Sequence, residues 1–204
     1  MPARGSRPVV ACDGGAAVTS QGEQVTRELI VRGAAAVAAG AYALLGFVVS
    51  WKGTGAGEYA HAYEYVIGYA LVIAVLAVAV AVDAFRSRTT WGPLLARIGA
   101  VILAVGVMWG NLTGDEVAWF AALGVPGNLL LFAGCLVIAR RLWPDGGRTR
   151  VFAVLLALSQ PLALVGAEVG GGFVACAAWL IVALGLVDAS SGLTRDAQTP
   201  PVTA

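Results

Sequence analysis

Long apolar runs alternate with short polar, arginine-bearing stretches along most of this chain. After a polar, glycine-rich opening over residues 1–26, apolar runs cover residues 34–51, 63–85, 93–111, 117–139, 151–167 and 173–189. A helix that crosses a bilayer needs roughly 20 apolar residues, within a range of about 17–25. The first four runs reach that length with their flanks. The fifth is marginal, and the sixth reaches it only when extended to Ala189. The pattern therefore predicts an all-α, polytopic membrane helix bundle with six transmembrane helices over residues 27–189. Disordered polar tails are expected at 1–26 and 190–204. A shallow terminal hairpin made of the last two runs is the variant. Pro93 opens the third run, which suits the first turn of a helix. The connections are short, so successive helices are expected to be antiparallel neighbours.

Charge sorts the ends of these runs. With the N-terminus on the cytoplasmic side, twelve of the thirteen basic residues fall inside, from Arg4 to Arg195, and only Lys52 falls outside. That is the positive-inside pattern, and it places both termini in the cytoplasm. Trp51, Trp109 and Trp119 then lie at outer helix ends and Trp91 and Trp143 at inner ends, where aromatic belts form. Trp179 is the exception, near the middle of the last run.

Composition agrees. The 204 residues are 59% hydrophobic and 12% charged. A soluble domain carries about 25% charged residues. A net charge of +1 gives no electrostatic case for nucleic acid. Lys52 is the sole lysine, and Ala, Gly and Val are abundant. This bias reads as a high-GC bacterial gene, so the expected location is the inner (plasma) membrane, crossed several times. Cys12, Cys135 and Cys176 lie in three separate segments with no CxxC, which argues against a disulfide framework or a thiolate metal site. No cofactor is expected.

Two sets of residues carry candidate chemistry. The first is the outer end of the second run, with Glu58, the sole histidine His61, and Glu64 at spacing i, i+3, i+6. His61 and Glu64 are candidate metal ligands, and Asp115, Glu116 and Glu168 are expected on the same side. The competing reading is an interfacial helix end, with ring bodies in lipid and polar tips in water. The second set lies at mid-depth, where polar groups are costly unless satisfied. Tyr42, Asn128, Ser159 and Gln160 reach one level, two of them beside Pro126 and Pro161. They predict either hydrogen-bonded helix glue or a pocket for a neutral ligand between the first, fourth and fifth helices. Asp83 and Arg97 face each other across a short loop and predict an ion pair.

Gly33, Ala35, Ala39 and Gly40 give the first helix small residues, which suit close helix packing within the chain, a protein partner or self-association. Asn111-Leu112-Thr113 matches a glycosylation triplet that a bacterial source would leave idle. Phosphate-binding glycine motifs, HExxH, Gly-x-Ser-x-Gly and paired aspartate-rich motifs are absent from the sequence. The function expected is that of a non-catalytic accessory or structural membrane subunit, or a small membrane sensor. The alternative is a solute-binding subunit of a transporter. In size, helix number and its small-residue first helix the chain is similar to the substrate-binding subunits of energy-coupling-factor vitamin transporters. This is a likeness of shape without a shared motif, and it implies a solute pocket.

Overall fold

A computed structural model of the chain describes residues 14–52, 62–114, 120–165 and 169–186. Among them are six α-helices: α1 (Gly14–Lys52), α2 (Ala62–Ala81), α3 (Trp91–Thr113), α4 (Val125–Leu142), α5 (Gly147–Val165) and α6 (Gly171–Ala183). A 3-10 turn over Val82–Phe85 prolongs α2, and a π-helical turn over Phe120–Gly124 leads into α4. The described residues contain no strand.

Four stretches are long and apolar enough to cross a membrane: Glu23–Trp51, Ala62–Phe85, Trp91–Thr113 and Phe120–Asp145. They match the first four expected spans. The last two expected spans are not among these four. α6 has 13 residues, or about 20 Å at 1.5 Å per residue, against a hydrocarbon core of about 30 Å. Its end is actively terminated. Gly185 sits at φ +64°, the Gly185 N–H donates to Val182 O and the Leu186 N–H to Ile181 O. This paired closure ends a helix on a left-handed glycine. The sixth apolar run therefore stops being helical before residue 189. α5 starts at Gly147, with Arg148 and Arg150 in its first turn and Pro161 inside it.

The expected N-terminal tail also changes. α1 begins at Gly14, so the stretch from residue 14 to residue 26 is helical. At 39 residues, α1 measures about 58 Å. Residues 190–204, expected as a second tail, lie outside the described residues.

Each helix packs against its neighbours in sequence, and α6 closes against α1. The result is a closed antiparallel ring. The α3–α4 seam shows why the sequence permits so tight a ring. A Cβ added at Gly127 would lie 2.8 Å from the Leu103 backbone nitrogen, and one at Gly92 would lie 2.6 Å from Ile138 Cγ1. Side chains at Gly99 and Gly134 would overlap the facing backbone. Small residues thus let two membrane helices touch backbone to backbone and gain dispersion contacts that lipid cannot match. The α1–α6 seam repeats this, with a Cβ at Gly172 falling 2.8 Å from Gly46 Cα.

The interior of the ring is filled. Tyr42, Phe85, Leu103, Leu131, Phe152, Leu156 and Trp179 are among the largest fully buried side chains. Phe85 stacks on Phe152 with ring centroids 5.7 Å apart, joining the end of α2 to the start of α5. Outside, large apolar residues such as Ile73, Val105, Leu129 and Leu158 are exposed on successive helices. Apolar outer surface on this scale suits lipid as the surrounding solvent.

All nine described arginines gather at one end of the ring, in the first half of α1 and around the α2–α3 and α4–α5 connections, level with the end of α6. Several are tied down there. The Asp83–Arg97 ion pair forms, and Arg97 Nε also donates to Ala79 O at 3.2 Å. Arg88 pairs with Asp145 at 3.0 Å. Arg32 pairs with Glu28 at 2.5 Å, and a Cβ at Gly185 would lie 2.6 Å from its guanidinium. A cation there also faces the negative end of the α6 dipole.

Candidate functional site

The mid-depth polar set is where the sequence concentrates cost. α1 brings Tyr42 to the interior, fully buried. α5 brings Ser159 and Gln160, also buried, in the second half of the helix and just before Pro161. Gln160 Nε2 donates to the Tyr42 hydroxyl at 3.2 Å, bridging α5 and α1. Ser159 Oγ donates to Leu156 O at 2.7 Å within its own helix. Neither Tyr42 nor Ser159 exposes any surface, which leaves no water-sized space against them.

Asn128 does not join this group. Its Nδ2 donates to Gly124 O at 2.9 Å, one turn back along its own helix. The reason is local. The π-helical turn and Pro126, which has no N–H to give, disturb the backbone ladder where α4 begins. The side-chain amide caps a carbonyl at this entrance, one turn back along the chain. The structure thus unites Tyr42 with Gln160 and leaves Asn128 to repair its own helix entrance.

Of the candidate ion site, His61, Glu58, Asp115, Glu116 and Glu168 lie outside the described residues. Glu64 is described, in the first turn of α2, and is buried. Among the described residues no group of three or more His, Cys, Asp or Glu side chains comes together.

The sequence reading missed the role of Asn111. The triplet asparagine is not a surface residue. It is 6% exposed, its amide presses on Gly68 of α2, and neither Oδ1 nor Nδ2 has a hydrogen-bond partner among the described residues. The signal was available in Gly68, the single gap in an otherwise bulky stretch of α2. The small-residue set on α1 divides. Ala35 and Ala39 are buried inside the ring, whereas Gly33 and Gly40 point outward with nothing near the place of a side chain.

An open surface groove lies away from the mid-depth set, lined by Phe47, Ser50, Trp51 and Phe173 at the end opposite the arginines. Its lining is mostly aromatic, without an ionisable group.

Comparisons with protein-family models, with curated proteins and with solved structures gave no match to this chain.

Proposed function

We propose that this protein is a non-catalytic structural or accessory subunit of a membrane assembly, built as a six-helix ring in the bacterial plasma membrane with its arginine-rich end in the cytoplasm. The observation that carries this reading is that the costly polar groups at mid-depth are spent on one another or on backbone. Gln160 is bonded to Tyr42, Ser159 to Leu156 O and Asn128 to Gly124 O. A solute site needs polar groups left available to the solute. The arginine asymmetry supports the orientation, and the outward glycines Gly33 and Gly40 offer α1 a face for a protein partner or a second copy.

Native mass spectrometry of the gently extracted protein tests this reading. A retained protein partner or a defined oligomer is the expected result. A retained neutral small molecule, lost in Gln160→Leu, would overturn it in favour of a solute-binding subunit using Tyr42, Asn128, Ser159 and Gln160. A retained cation lost in His61→Ala would instead assign His61 and Glu64 as its ligands.

A further inference from the structure

We infer that the α4–α5 turn at the arginine-rich end is a binding site for the phosphate headgroup of an anionic phospholipid. This goes beyond the subunit reading and stands or falls separately from it. Arginines at that end fall into two kinds. Arg32, Arg88 and Arg97 are held by carboxylates. Arg150 donates to Trp143 O at 3.0 Å and stacks 5.7 Å above the Trp143 ring. Arg140, Arg141 and Arg148 are different. Like Arg27 and Arg86 they are exposed and have no ion pair among the described residues, but these three flank one turn. Asp145, the carboxylate between them in sequence, is already taken by Arg88. The turn therefore presents three uncommitted guanidinium groups in nine residues of chain.

The surroundings favour a lipid over a soluble anion. Trp143 is half-exposed beside these arginines, and Leu136 and Val151, the apolar residues next along α4 and α5, face outward. Trp91 at the start of α3 is exposed as well. An exposed indole with apolar helix surface on one side and charge on the other marks the headgroup level of a bilayer. A guanidinium at that level pairs with a phosphate through two parallel hydrogen bonds. The acyl chains of the same lipid would lie along the apolar flanks of α4 and α5.

The test uses the full chain in detergent micelles doped with phosphatidylglycerol or phosphatidylcholine, read by native mass spectrometry. Each arginine near an anionic surface is worth about fivefold in binding, so three are worth about a hundredfold. Wild type is expected to retain phosphatidylglycerol over phosphatidylcholine. The triple variant Arg140→Gln, Arg141→Gln, Arg148→Gln is expected to lose about a hundredfold of that preference with an unchanged melting temperature in lipid-free detergent. Arg27→Gln, an exposed arginine on α1, is expected to keep it. Undiminished phosphatidylglycerol retention in the triple variant overturns the proposal, as does equal loss in Arg27→Gln. Displacement of the lipid by millimolar inorganic phosphate would also overturn it, by assigning the site to a free anion. If the glutamine variant melts early, the corresponding triple lysine variant decides. In it the charge stays but the paired hydrogen bonds of the guanidinium are lost, so phosphatidylglycerol preference should fall, and an undiminished preference counts against the site.

Discussion

Gln160 and Tyr42 stand 118 residues apart in the chain and share one hydrogen bond in the interior. Interhelical bonds of this kind average about 0.6 kcal/mol and reach about 1.7. Removing one partner costs more than removing both, because a stranded polar group keeps its desolvation penalty. Tyr42→Phe is therefore expected to destabilise the ring by about 1 kcal/mol, and the double variant with Gln160→Leu by less. A double-mutant cycle in denaturing detergent measures the difference. Asn111 makes the opposite case. A buried, unpartnered amide costs about 1–3 kcal/mol, so Asn111→Ala is expected to raise the unfolding midpoint. A lowered midpoint would mean the amide has a partner that matters.

At the scale of the element, glycine has two uses here that sequence cannot tell apart. Gly99 and Gly134 lie where α3 and α4 meet backbone to backbone. Gly99→Val or Gly134→Val must push the helices apart, at about 3 kcal/mol, the upper end of overpacking costs. Gly33 and Gly40 face open space. Alanine there should be tolerated and should favour the helix by up to about 1 kcal/mol each. If Gly40→Ala instead dissolves an oligomer seen in wild type, the outward face of α1 is the contact. Both sets lie inside apolar helical runs, and the neighbouring helix is what separates their roles.

For the whole molecule, the separation of charge predicts orientation. In a chain stripped of its native cysteines, Ser87→Cys lies at the arginine-rich end and Leu112→Cys at the other. An impermeant maleimide applied to intact cells is expected to label the second and spare the first. The reverse pattern would invert the topology. The last two helices pose a separate question, because α6 is too short to cross on its own and must rely on thinning of the bilayer or on its packing against α1 and α5.

The sequence by itself determined that the chain is helical, that its first four long helices are apolar enough to cross a membrane and where they lie, and that charge separates to one end. These follow from quantities that add up along the chain: apolar length, arginine position and the absence of enough charge to cover a wet surface. The Asp83–Arg97 pair was legible for the same reason, since 14 residues and one short loop separate its partners. Only the tertiary structure decided which mid-depth groups meet, that α6 ends on Gly185, and which glycines are contacts. Each of these depends on a neighbour remote in sequence or on one residue's φ. Tyr42 found Gln160 because ring closure brings α1 beside the α5–α6 pair, whereas Asn128 turned to Gly124 because a disturbed helix entrance offered it a nearer carbonyl.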